Sequence, residues 1–74
     1  MKLSNAEIGK SYQITKILGQ GALKKRILDM GLTKGCTFKV VKVAPLGDPI
    51  QIHVRNYELT IRKHDAELLE IEQI

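Results

Sequence analysis

The side chains that could act as nucleophiles or general bases are few and lie far apart. The two serines are Ser4 and Ser11, and the two histidines are His53 and His64. Nucleophilic catalysis needs a nucleophile, a base and a group that orients the base. No spacing in this sequence groups those residue types, so the sequence predicts a protein that is not an enzyme.

The segment GQGALKKR, residues 19–26, places two glycines directly before a helical pattern. It lacks the Gly-Lys-Ser/Thr ending with which a P-loop holds nucleotide phosphates. A helix N-terminus in this position could attract an anion only weakly. We therefore interpret the segment as a turn followed by the exposed face of a helix.

Residues that could bind a metal are equally sparse. No Cys and His residues have the spacing of a zinc site, and His53 lies beside Arg55 on the outward face of a predicted strand. The weak candidates are His64 and Glu67, which share one predicted helical turn and would need ligands from a second chain. We expect no cofactor, with a weakly bound divalent metal such as iron as the alternative.

Charge is divided unevenly along the chain, whose formal net charge is +4. Residues 1–63 hold all twelve bases and only four acids, a balance of +8, whereas residues 64–74 hold four acids and no base. A basic body attracts anionic partners, but barrels that bind RNA usually offer aromatic stacking platforms. The three aromatic residues Tyr12, Phe38 and Tyr57 all fall at inward strand positions, so we expect no nucleic-acid partner.

Length and composition indicate one soluble globular domain, residues 1–74. Hydrophobic residues make up 43% of the 74 and charged residues 27%. The chain contains no apolar run long enough for a membrane span and no signal-peptide core. The single cysteine, Cys36, fits a reducing compartment, so we expect a cytoplasmic protein.

Short elements must position these side chains. The patterns predict a helical turn at 4–7, strands at 11–18, 36–44, 49–55, 57–62 and 68–74, a helix at 22–30 and a second helical turn at 64–67.

Two details refine this pattern. Leu23, Ile27 and Met30 have helical spacing and are expected to face the core, with Gly31 as a left-handed cap and Lys24, Lys25 and Asp29 outside. The apolar alternation slips at Val40-Val41, which predicts a β-bulge. Five strands on so short a chain favour a small, strongly bent barrel with one helix after the first strand, because closure also hides the strand edges.

The loop between the second and third strands, APLGDP (residues 44–49), contains two prolines and a glycine. Proline fixes φ and restricts the preceding residue, so the loop is expected to be ordered before any partner arrives. It could be a fixed projection for docking or a corner that only sets strand geometry.

Together these segments resemble the ferrous iron transport protein A (FeoA) family. The resemblance rests on RILDMGL (residues 26–32), Gly35, APLGDP (residues 44–49), Leu59 and Arg62-Lys63, and it extends from Ile8 to Ile71. The family often has Leu at the position of Ile27 and Gly near Asn56.

The resemblance implies an SH3-like barrel that serves ferrous iron uptake in bacteria as an accessory partner of a membrane GTPase transporter. A location peripheral to the inner membrane, through that partner, would follow. The predicted partner-binding residues are Lys24, Lys25, Arg26, Pro45, Leu46, Gly47, Asp48 and Pro49.

Two alternatives remain open at this point. The domain is also similar to the C-terminal barrel of metal-dependent repressors, which implies a weak sensor of divalent transition metals. A basic barrel that binds RNA through residues 24–26 is the other.

Overall fold

The computed structural model describes the whole chain, residues 1–74. In chain order its elements are a 3₁₀ turn (Leu3–Asn5), β1 (Ser11–Ile17), α1 (Ala22–Asp29), β2 (Thr37–Val43), β3 (Ile50–Val54), β4 (Tyr57–Ile61), α2 (Lys63–Ala66) and β5 (Leu69–Gln73). The first strand, the helix after it and the hairpin strands begin within a residue of their predicted positions.

The five strands form one antiparallel sheet in the order β4-β3-β2-β1-β5. Consecutive strands are neighbours in the sheet except for β4 and β5, because β5 pairs with β1. The predicted mainly β fold with one helix after the first strand is confirmed.

A β-bulge bends β2, as the slip in its apolar pattern predicts. Val40 lies opposite Ile52 and Lys42 lies opposite Gln51, so Val41 is the extra residue on β2. Val41 is 41% exposed although it is apolar. The bulge increases local twist, which helps β2 to pair with β1 through its first residues and with β3 through the rest.

The core lies inside this curved sheet and is almost wholly aliphatic. Ile50, Ile52 and Val54 of β3 and Leu69 and Ile71 of β5 are at most 2% exposed, as their alternation predicts. Burying such a side chain contributes about 1.5–3 kcal/mol to stability, so this set is the main source of stability.

Two aromatic rings add to the core. Tyr12 and Phe38 lie opposite each other on β1 and β2 and stack with ring centroids 5.9 Å apart. The Tyr12 hydroxyl accepts a hydrogen bond from the Glu7 backbone N–H at 2.9 Å. The buried phenol is therefore satisfied and ties the N-terminal segment to the barrel.

Helix α1 ends in the predicted Schellman motif. Gly31 has φ 90°, its N–H donates to the Leu28 carbonyl at 2.9 Å, and the Leu32 N–H donates to the Ile27 carbonyl at 3.4 Å. Ile27 is fully buried and Met30 packs against the core. The prediction for Leu23 is wrong, since it is 37% exposed: it lies in the first turn of α1, and the one buried residue of the helix is Ile27, in the next turn.

The β3–β4 hairpin turns at Arg55-Asn56, where both residues have positive φ, 49° and 70°. That is the pattern of a two-residue type I′ turn and confirms the predicted hairpin. Tyr57, predicted to point inward, is 37% exposed, so that prediction is wrong. Its ring lies beside the end of α1, where its hydroxyl donates to the Met30 carbonyl at 3.1 Å.

Candidate docking surface

The loop between β2 and β3 is internally hydrogen-bonded. The Ala44 N–H donates to the Pro49 carbonyl at 3.1 Å, and the Gly47 N–H donates to the Ala44 carbonyl at 2.7 Å. Leu46, between them in the chain, is 90% exposed, more than any other large apolar residue. The loop therefore presents an uncovered leucine on an ordered backbone.

Asp48 fastens this loop to α2. Its Oδ1 accepts a hydrogen bond from the Lys63 backbone N–H at 3.0 Å. Lys63 is the first residue of α2, and its N–H has no acceptor within the helix. Asp48 thus caps α2 from fifteen residues away, a role normally filled by the residue that precedes the helix.

Asp65 in turn fastens α2 to α1. Its Oδ1 accepts a charge-assisted hydrogen bond from Arg26 Nη2. Asp65 is the one buried charged residue, 6% exposed, whereas the Arg26 side chain is about half exposed. Since a buried carboxylate needs a partner, Arg26 has a structural task in addition to its predicted role in partner binding.

These contacts join three elements into one surface. The loop contacts α2 through Asp48, and α2 contacts α1 through Asp65, so all eight predicted partner-binding residues lie on one strip of connected elements. We call this strip, made of α1, α2 and the loop 44–49, the docking surface. Lys24 and Lys25 are exposed on it and form no ion pair.

The sequence interpretation missed the apolar part of α1 that faces solvent. Leu28 is 42% exposed and Leu23 is 37% exposed. The exposure of Leu28 could have been predicted from the sequence, because Leu28 is one residue from Ile27 and therefore lies on a different side of the helix. The docking surface consequently offers aliphatic as well as basic side chains.

The weak metal candidates do not form a site within one chain. His64 and Glu67 are both exposed on or next to α2, and the acid between them, Asp65, is engaged by Arg26. No three His, Cys, Asp or Glu residues converge anywhere in the structure. Because metal sites need three or four such ligands, these residues do not fit a resident metal.

A separate polar network covers the β3–β4 hairpin. Glu58 accepts a hydrogen bond from Gln51 Nε2 at 3.2 Å, and its other oxygen lies 3.1 Å from His53 Nδ1. These two contacts, the one from Gln51 first, lower the pKa of Glu58 below its ordinary value of 4.5. The network is exposed and lies apart from the docking surface.

These features define a class of protein. A small bent barrel carries an ordered, exposed loop and a helix with uncovered leucines and lysines, and neither catalytic nor metal-binding groups converge. The class that these features define is a small barrel with an exposed apolar and basic face. None of its helices has the length and hydropathy that crossing a membrane would require.

Comparison with known proteins identifies the family. The model of the FeoA domain matches residues 1–73, so the chain belongs to the FeoA family. The predicted resemblance is confirmed.

Similar proteins agree with this assignment. The whole chain is 39% identical to part of a Porphyromonas gingivalis protein named Fe(2+) transport protein A/Fe(2+) transporter FeoB fusion protein, of which it spans 9%. It superposes with a TM-score of 0.94 on iron(II) transport protein A from Clostridium thermocellum, 38% identical over this whole chain and 46% of that one.

A more distant structure bears on the fold. Stenotrophomonas maltophilia FeoA in complex with zinc, described as a prokaryotic SH3 domain protein, is 21% identical and matches with a TM-score of 0.82 over 97% of this chain and 89% of its own. The predicted SH3-like fold is thereby confirmed.

Proposed function

We propose that this protein is a small cytoplasmic accessory protein of ferrous iron uptake. It docks on the cytoplasmic side of a membrane GTPase transporter of ferrous iron and regulates the activity or assembly of that transporter. The observation that carries the proposal is the P. gingivalis fusion, whose name joins transport protein A to the transporter FeoB in one polypeptide.

Fusion and docking are two ways to hold the accessory domain against the transporter. Joining two modules in one chain replaces association by an intramolecular contact at high effective concentration. A separate chain lacks that advantage and must hold its partner through its own surface. The docking surface supplies what such binding requires.

Leu46 is suited to anchor the partner. Its side chain is almost fully solvated, so burying it in a partner's apolar pocket gains hydrophobic free energy. The two hydrogen bonds within the loop and the contact of Asp48 with α2 already restrict the backbone. Binding therefore orders little additional chain, and pre-organisation of this kind improves affinity.

Lys24 and Lys25 supply the electrostatic contribution to binding. Since neither is neutralised by an acid, both can steer the protein toward an acidic face of the transporter. Association should accordingly slow as salt concentration rises. In this proposal the protein regulates the transporter simply by being bound to it, so no reactive group is needed on this chain.

The test is an NMR titration of the labelled protein with the transporter's isolated cytoplasmic GTPase domain. Shifts should cluster in loop 44–49 and α1. Leu46→Ser should abolish or strongly weaken binding, while the matched control Ile8→Ser, at an apolar residue 58% exposed outside the docking surface, should leave it unchanged. Lys24→Glu with Lys25→Glu should weaken binding more than Lys34→Glu.

Two results would overturn the proposal. If Leu46→Ser and Ile8→Ser have the same effect, the loop is not the anchor. If the GTPase domain causes no shifts and ferrous iron alone shifts His64 and Glu67, the protein is a metal-responsive regulator instead. An RNA that shifts residues 24–26 in a salt-sensitive manner would favour the nucleic-acid alternative.

A further inference from the structure

A second surface, on the solvent-facing side of β1, β2 and β3, has features that docking on a transporter does not use. It contains a cavity of about 340 Å³. The polar side chains that line this cavity come from three strands and the hairpin turn: Ser11, Thr37, Lys39, His53, Arg55 and Asn56. None of them belongs to the docking surface.

Strand register explains why these residues meet. Ser11 of β1 lies opposite Lys39 of β2, Lys39 lies opposite His53 of β3, and His53 lies opposite Glu58 of β4. Directly paired residues on antiparallel strands project on the same face of a sheet. A polar row therefore crosses four strands, and the cavity lies over its first three members.

Two cations, Lys39 and Arg55, line the cavity, and Arg55 Nη2 also donates to the Thr33 hydroxyl at 3.3 Å. Lys39 and Arg55 take part in none of the ion pairs of the structure. No Asp or Glu side chain lines the cavity. The nearest acid in the row, Glu58, contacts Gln51 and His53 and pairs with neither cation.

Most of the polar lining groups are hydrogen-bond donors, which is what an oxyanion requires. Ser11 and Thr37 carry hydroxyls, Asn56 carries an amide NH₂, and Lys39 and Arg55 carry charged N–H groups. Arginine in particular forms paired hydrogen bonds with phosphate oxygens. Hydroxyls and cations around a cavity that no Asp or Glu side chain lines favour an anion with several acceptor oxygens over a simple halide.

We propose that this cavity binds the phosphate group of a small phosphorylated molecule. Its volume is near the lower limit of about 300 Å³ for small-molecule pockets, so it fits a phosphate with a short organic group attached. The inference does not depend on the proposed function, because the cavity shares no residue with the docking surface.

The test is an NMR titration with inorganic phosphate and, separately, with glycerol phosphate at constant ionic strength, using chloride as the reference anion. Backbone amides of Lys39, Arg55 and Asn56 should shift and saturate with a Kd on the order of 1 mM. Tighter binding of glycerol phosphate would identify an organic phosphate as the ligand, and equal binding would identify free phosphate.

Matched variants locate the site. Lys39→Gln should weaken phosphate binding about tenfold, the effect of losing one charge-assisted hydrogen bond, and Lys39→Arg should retain most of it. The control Lys42→Gln removes the same charge from an exposed lysine on the same strand, one that does not line this cavity, and should leave binding unchanged.

Three outcomes would overturn the inference. Shifts that stay linear and match those caused by chloride would indicate ionic strength alone. Equal effects of Lys39→Gln and Lys42→Gln would indicate a diffuse basic surface. Much tighter binding of a short single-stranded RNA, with shifts spread to Lys16 and Lys42, would indicate a nucleic-acid surface instead.

Discussion

Helix α1 is fastened to the barrel by polar contacts at two places of opposite character. Near its middle, Arg26 meets the buried carboxylate of Asp65 on α2. At its end, the Met30 carbonyl accepts from the hydroxyl of the half-exposed Tyr57 on β4. The first contact is charged and its carboxylate partner is buried, whereas the second is neutral and open to water.

This difference sets what each contact can do. A buried charge that loses its partner has no water to replace it, so the contact through Asp65 behaves as an obligatory structural link. A hydroxyl near solvent can exchange its protein acceptor for water at a net cost of about 1 kcal/mol. The part of α1 that contacts α2 should therefore be rigid. The end of α1, next to the β3–β4 hairpin, should be more adjustable.

The largest expected effect comes from removing the cation of the buried pair. Arg26→Gln leaves the Asp65 carboxylate buried without a counter-charge and should lower the free energy of unfolding by about 2–3 kcal/mol. Asp65→Asn leaves the half-exposed Arg26 able to reach water and should cost less, about 1–2 kcal/mol. Urea denaturation measures both, and the reverse order would show that Asp65 is better hydrated than its burial indicates.

The contact at the end of α1 can be tested through two glycines with the same φ of 90°. A Cβ added to Gly31 would lie 2.6 Å from the Tyr57 hydroxyl oxygen, whereas a Cβ on Gly35 meets nothing within 4 Å. Both alanine variants should cost about 1–2 kcal/mol in backbone strain, and Gly31→Ala about 1 kcal/mol more for displacing Tyr57.

Tyr57→Phe provides the check on that difference. Without the hydroxyl, the nearest remaining ring atom is 3.9 Å from the added Cβ. Gly31→Ala should then cost the same as Gly35→Ala. If the additional cost persists in the Tyr57→Phe background, it does not arise from the contact with Tyr57.

A smaller effect is expected where the loop meets α2. Asp48→Ala removes the acceptor of the Lys63 N–H and should cost about 1 kcal/mol, as for other lost helix caps. Asp48→Asn retains Oδ1 as acceptor and should cost little. The same pair tests the rigidity of the loop, since faster amide exchange in residues 44–49 should follow only the alanine substitution.

The smallest effect concerns pH and the exposed Glu58. Its folded-state pKa is lowered by Gln51 and His53, so its stabilising contribution is present above the ordinary pKa of 4.5 and is lost as pH falls through the folded-state value. Glu58→Gln should therefore lower stability slightly at neutral pH and flatten the acid side of the stability–pH curve, so that the variant and the parent protein converge at low pH. Glu72→Gln, at an exposed carboxylate without a hydrogen-bond partner, is the control.

Local patterns were sufficient to predict most of the architecture. Alternation placed Ile50, Ile52 and Val54 in the core, and the doubled valine at 40–41 marked the bulge, because both signals depend on near neighbours in the chain. Tyr57 followed the same alternation but is 37% exposed, and its hydroxyl contacts the end of α1, 27 residues earlier in the chain.

In the candidate site, too, local sequence patterns did not predict contacts between residues that are far apart in the chain. The docking residues on α1 and the loop could be named from their composition and from the family motif. The contacts that join them, of Asp48 with Lys63 and of Asp65 with Arg26, span 15 and 39 residues. The phosphate-binding cavity depends on register across three strands, and nothing in the spacing of Ser11, Lys39 and His53 indicates it.

The pairing of β1 with β5 has a consequence for synthesis in the cell. Ile17 lies opposite Leu69, so the first strand to leave the ribosome must wait for the last one before its second edge is covered. Until then β1 presents unpaired backbone groups, which favour association with other chains. The barrel can close only after β5 has been synthesised, so slow translation between β1 and β5 would prolong the interval in which the nascent chain can aggregate.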